Sequence, residues 1–146
     1  MNTLGYQYEL NLIRVIDFSY SELKFAEGFN PDEQGKYDWG VNTGFIVNEL
    51  QEVIFITLYY KLSHSATDEH FVSIGVATAF RINNFKEKMD QGGKLIIEPS
   101  FAATLLGITY STLRGIWHEK LRDTAVSNFI LPVIDPTTIN YTVEYQ

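Results

Sequence analysis

Residues 52–85 read EVIFITLYYKLSHSATDEHFVSIGVATAFRINNF, two runs of β-branched, aromatic and small residues separated by a polar stretch at 63–69. That pattern predicts two adjacent strands joined by a short loop, an antiparallel pair. In the first run Ile54, Ile56, Leu58 and Tyr60 share one parity, and Val53, Phe55, Thr57, Tyr59 and Lys61 the other. Both faces are largely apolar, so a further layer must cover one of them, and the second face is a candidate subunit contact.

Downstream, residues 86–94 are charged and include Gly92-Gly93, which marks a connection. Pro99 suits a first helical turn, where its missing N–H would be an orphan donor in any case. Phe101, Leu105, Ile108, Thr112 and Ile116, with Leu113 and Trp117, recur at spacings of three and four, which predicts one long helix from Pro99 to about Arg122. Gly107 and Gly115 inside it cost about 1 kcal/mol each against alanine, so close backbone approach to another element, such as a helix across an oligomer, is expected there. Pro132 and Pro136 then impose an extended or turned exit, and Ile139, Tyr141, Val143 and Tyr145 alternate like a strand.

Upstream, residues 6–25 predict a long strand. Tyr8, Leu10 and Leu12 share a parity with Ile16, Phe18 and Tyr20, and a bulge near Arg14 is expected. Residues 28–44 are dense in Gly, Asn and Asp and read as a long surface loop, within which Tyr37 and Trp39 begin a short strand.

The 146 residues favour one domain spanning 1–146. With 18 acidic against 11 basic residues the net charge is −7, and no basic block is present, so phosphate neutralisation lacks a source and nucleic acid is excluded as a first expectation. Asp17, Glu22, Glu27, Glu49 and Glu52 contribute to an acidic, solubilising surface. The chain has no cysteine, which removes disulfides, thiol nucleophiles and thiolate metal sites. No basic-apolar leader and no run of roughly twenty apolar residues occurs, so a cytoplasmic protein without membrane insertion is expected. Aromatic residues reach 14%, a surplus that suits a β-rich core or a surface that grips other chains.

Catalysis finds little support. His64 and His70 flank the predicted hairpin loop with Asp68 and Glu69 between them, a conceivable two-His, one-carboxylate arrangement, but solvated loop residues explain them more simply. His118 beside Glu119 suits the helix C-terminal dipole. Asp32 and Glu33 sit in a Pro-containing loop rather than a predicted cleft. The usual serine-elbow, zinc-helix and phosphate-loop motifs do not occur. No enzyme activity, metal or cofactor is expected.

The order of elements resembles that of the SecB protein-export chaperones and their SecB-like relatives, including the chaperones attached to toxin–antitoxin operons. Two segments carry the resemblance, residues 52–85 and residues 110–134, YSTLRGIWHEKLRDTAVSNFILPVI, with an Arg114-Gly115 step and a Leu131-Pro132-Val133 exit. Together they cover less than half the chain. The resemblance implies an α+β fold, with a four-stranded antiparallel sheet and one long helix packed on one face. It implies a homodimer or homotetramer with helices sandwiched between sheets, placing Gly107, Thr112 and Gly115 at the interface. It also implies an ATP-independent holdase whose unfolded polypeptide clients lie in apolar grooves lined or supported by Phe129, Ile130, Leu131, Val133 and Ile134, with Tyr37 and Trp39 opposite. Asp17 matches one acid of the surface that recruits the translocase motor in export members, whereas Ser21 and the Ser73-Ile74 pair stand where further acids are expected. A dedicated chaperone for one labile partner such as an antitoxin, and a non-chaperone interaction module on the same fold, are the alternative readings.

Overall fold

Alternation of apolar and small or polar residues builds most of the sheet in the computed structural model, which describes residues 5–21, 37–64, 70–124 and 131–146. Strands β2 (Tyr37–Asn48), β3 (Val53–His64) and β4 (His70–Ile82) form successive antiparallel pairs. Cross-strand rows such as Val47–Ile54–Phe80 and Phe45–Ile56–Thr78 place fully buried side chains on one face. The β2–β3 turn is closed by Gln51 N–H donating to Asn48 Oδ1 at 3.0 Å, with Glu52 at φ 56°.

β2 corrects the expectation of a loop through residue 44. Gly40, Asn42 and Gly44 are turn formers by composition, yet they share the face opposite Trp39, Val41, Thr43, Phe45 and Val47. Apolar burial at every second position overrides the local preference of the residues between. β1 (Tyr8–Tyr20) lies antiparallel to β4 with two register shifts, between Leu10 and Leu12 and between Val15 and Asp17, rather than one near Arg14. Each extra residue reverses the parity that follows. Leu12 therefore pairs with Ala79 on one face, whereas Leu10, Ile13, Val15 and Phe18 pair with Phe80, Thr78, Val76 and Ile74 on the other.

Helix α1 (Pro99–Lys120) opens on Pro99 as expected and packs across β3 and β4. Its buried stripe is Phe101, Ala102, Leu105, Leu106, Thr109, Tyr110, Leu113 and Trp117. Ile108, Thr112 and Ile116 of the expected stripe lie at its flank, half-buried, while Ala102, Leu106, Thr109 and Tyr110 are buried beside Phe101, Leu105 and Leu113. At the centre of the layer Thr109 Oγ1 donates to Leu105 O at 2.9 Å and meets Thr78 Oγ1 at 2.9 Å. Near the helix start the Tyr6 ring stacks on Phe101, centroids 3.8 Å apart.

The sheet has five strands, not four, in the order β1-β4-β3-β2-β5. The fifth, β5 (Thr142–Tyr145), runs parallel to β2 and makes the sheet mixed. Between α1 and β5 the chain has no regular structure over residues 131–135 and turns through a 3-10 segment, Pro136–Thr138, capped by Asp135. No helix among the described residues is long and apolar enough to cross a membrane.

Replacing Thr109 with Val strands the Thr78 hydroxyl in the core, at an expected cost of about 1–3 kcal/mol, whereas Thr78→Val combined with Thr109→Val is expected to recover most of it. Urea unfolding of the two single variants and the double variant measures this coupling.

Candidate functional site

Four rings form the upper core. Trp39 of β2 and Tyr60 of β3 meet Trp117 of α1, with centroids 5.0 Å apart for Trp39–Tyr60, 5.9 Å for Trp39–Trp117 and 6.2 Å for Tyr60–Trp117. Tyr110 lies about two helical turns before Trp117, 6.1 Å from Tyr60. Its hydroxyl donates to Pro132 O at 2.6 Å and so fixes the exit segment against the helix. Leu131 plugs the same cluster at 2% exposure, and Ile134 and Trp39 pack against it half-buried. Between Leu131 and Ile134 the chain turns Val133 outward, 84% exposed. Val41, on the Trp39 face of β2, is 39% exposed. The result is a sealed aromatic base whose rim, at Val41 and Val133, presents apolar side chains to solvent.

These positions sort the residues expected to bind clients. Tyr37 opens β2 with its backbone opposite His64. Trp39, Val133 and Ile134 lie in or beside the rim, and Leu131 supports it from within the core. Phe129 and Ile130 lie outside the described residues. Val41, Tyr60, Tyr110 and Trp117 belong to this surface or its base and were not foreseen as site residues; the alternation of Trp39 and Val41 was the available signal for the first of them.

The expected interface residues lie on the outer side of α1. Gly107 has its close approach within the chain, where a side-chain carbon would stand 3.3 Å from Pro136, while Gly115 has nothing within 4 Å. With Ile108, Thr112 and Pro136, Gly107 lines a surface groove of about 760 Å³. A second apolar surface was not foreseen. Leu10, Ile13, Val15 and Phe18 of β1 are 37–49% exposed, on the helix side of the sheet beyond the reach of α1. Asp17, on the opposite face, accepts a hydrogen bond from Ser73 Oγ at 2.5 Å. His64 ends β3 and His70 begins β4. Among the described residues no group of three or more His, Cys, Asp or Glu could hold a metal ion.

Burial pushes the Tyr60 phenol far above its ordinary value, reinforced by Tyr110, and burial likewise raises Tyr110. Both phenols therefore favour folding while neutral, a contribution fully present below pH of about 10 and lost as pH rises further, because the unfolded chain ionises first. Stability is expected to fall above that pH, and Tyr60→Phe is expected to flatten the fall. Unfolding curves between pH 8 and 11.5, followed with phenolate absorbance, check both outcomes.

No protein-family model matches the chain, and no curated protein matches it by sequence. Solved structures do. The SecB-like chaperone of Mycobacterium tuberculosis, in complex with a ChAD peptide from an antitoxin, is similar at TM-score 0.55 and 12% identity, over 87% of this chain and 89% of that one. A Streptococcus agalactiae protein of unknown function is similar at TM-score 0.40 and 18% identity, over 80% of this chain and 89% of that one. One long helix laid on a five-stranded mixed sheet is thus a SecB-like fold.

Proposed function

We propose that the chain is an ATP-independent holdase chaperone that retains non-native polypeptide on the apolar rim beside β2 and the exit segment. The observation that carries the reading is Val133, held almost fully in solvent by a segment whose neighbours are fixed from below through Leu131 and the Tyr110–Pro132 hydrogen bond. A folded protein gains nothing in stability from an apolar side chain so placed. A binder of unfolded chains does, because scattered apolar residues of a client bury against it with little sequence preference. Such retention needs neither covalent chemistry nor a cofactor, and the acidic surface suits a protein that works in the cytoplasm at high local client concentration.

The antitoxin peptide bound by the Mycobacterium chaperone favours a second reading, a dedicated chaperone for one labile partner such as an antitoxin. The translocase motor is the weaker partner, since the Asp17 carboxylate is engaged by Ser73. Assembly into a homodimer or homotetramer completes the proposal. The exposed apolar residues of β1 lie on an edge strand, a position that pairs readily with another copy, and the outer face of α1 with Gly107, Thr112 and Gly115 offers the second contact.

The protein is expected to suppress aggregation of a chemically denatured model client at a stoichiometric ratio, with Val41→Asp and Val133→Asp each weakening suppression at least several-fold while leaving the melting temperature nearly unchanged. Undiminished client aggregation in excess protein removes the general holdase, and retention of only a neighbour-encoded partner selects the dedicated reading. For the assembly, light scattering is expected to give a multiple of the 16.7 kDa chain mass, reduced by Ile13→Asp; a monodisperse wild-type monomer defeats it.

A further inference from the structure

The outer edge of β2 is twelve residues long, and β5 covers only Gly44–Val47 of it. Gln146 N–H donates to Val47 O at 2.9 Å, so the odd-numbered residues of β2 aim their backbone groups at that edge. The same parity continues at Val41 and Thr43, which pair with β3 on the inner side but with no strand among the described residues on the outer edge. β5 shows what chemistry the edge accepts. Its inward residue Val143, and Tyr141 just before it, are half-buried against the lower core, the Tyr141 ring 4.7 Å from that of Phe45. Thr142, Glu144 and Tyr145 remain exposed. Among the described strands it pairs with β2 alone; its other polar tie is the Tyr145 hydroxyl, which donates to Leu95 O at 2.9 Å. The turn before it is closed on itself by Asp135 accepting from Thr137 N–H at 3.0 Å and sits with Pro136 against Gly107, so residues beyond Thr138 can leave the sheet while that turn keeps its contact with α1.

From these features we infer that β5 is a displaceable strand, seated in cis on an edge that takes up an extended segment of a client in its place. The inference rests on the holdase reading and names how that surface engages a chain. The incoming segment is an extended polypeptide with aromatic or β-branched residues at alternate positions, the pattern Tyr141-x-Val143-x-Tyr145 displays. Main-chain hydrogen bonds to a strand edge supply affinity that is indifferent to sequence, and alternate side chains supply a modest preference. Displacement takes Tyr141 and Val143 off the cluster that holds the fully buried Phe45 and Val47, and opens that side of β2 toward Val41. While β5 is seated it also shields the longest apolar stretch of this edge from pairing with a second copy.

The probe is a labelled peptide of residues 139–146, INYTVEYQ. A variant lacking residues 141–146 is expected to bind it at least ten-fold more tightly than the full chain, with amide protection at Val47 lost on truncation and restored by the peptide. Glu144→Pro, which removes an N–H directed at β2 and leaves Val143 in place, is expected to act in the same direction. The reverse control pairs Gly44→Cys with Thr142→Cys in this cysteine-free chain, since a side-chain carbon at Gly44 would lie 3.4 Å from Thr142 Oγ1. The oxidised staple is expected to abolish peptide binding and reduction to restore it. A folded truncation that binds no more tightly, or a stapled protein that binds as well as the reduced one, overturns the inference. Client retention that the staple leaves untouched overturns it while sparing the holdase reading. Peptide binding at the opened edge without client retention leaves the edge standing and removes the holdase.

Discussion

One helix, about 10 Å across, must seal a sheet whose five strands, at about 4.8 Å spacing, span close to 19 Å. That mismatch governs the molecule. α1 sits over β3 and β4, where every side chain from Ile54 to Leu62 on the inner parity is buried. The strands to either side are left to other devices. Toward β2 the gap is filled by the exit segment, through Leu131 and Ile134, and by the tail, through Ile139, Tyr141 and Val143. Toward β1 only Tyr6 and Tyr8, packed on Phe101, extend the helical layer, and beyond them the inner residues Leu10, Ile13, Val15 and Phe18 remain 37–49% exposed. Lys120, with its ammonium 5.6 Å from the Phe18 ring, reaches only the end of that row.

The strands and helix whose periodicity is undisturbed were legible from the residues alone. β3, β4 and α1 follow from residues 52–85 and from the three-and-four spacing after Pro99. β2 was obscured because its outward positions hold Gly40, Asn42 and Gly44, residues whose turn preference is a local property, while its strand character comes from pairing with β3 along its whole length. The parity of β1 failed at Asn11 and Ile16 for a different reason. A bulge adds a residue without a compositional mark, so the faces of Leu12 and Ile13 exchange where the sequence shows only continued alternation.

The candidate site was half legible. Trp39 and the Leu131–Ile134 stretch were expected at the site only through the family resemblance, which does not say which of two adjacent apolar residues enters the core. Tyr110 decides it by fixing Pro132, which sends Leu131 inward and Val133 outward. Gly107 illustrates the same limit. The need for close approach was readable from a glycine in mid-helix, yet the element that approaches is Pro136, farther along the same chain. Gly75 on β4 is a third case: a side-chain carbon there would lie 2.7 Å from the Tyr59 ring and 3.1 Å from Ile16, so strand-interior glycine marks a ring laid across the sheet's other face.

Apolar rims at both edges of a sheet are a hazard in an ordinary globular protein, because edge strands pair with whatever strand they meet. Here a net charge of −7 opposes indiscriminate collapse of one copy onto another, and repulsion of that kind acts over about 8 Å at physiological salt. It therefore weakens encounters between large, like-charged folded copies far more than contact with a local apolar segment of an unfolded chain, whose charges are spread along its length. Sheet width in excess of helix width thus leaves apolar side chains at the sheet's margins, and both the proposed assembly and the proposed retention of extended chains draw on that surplus.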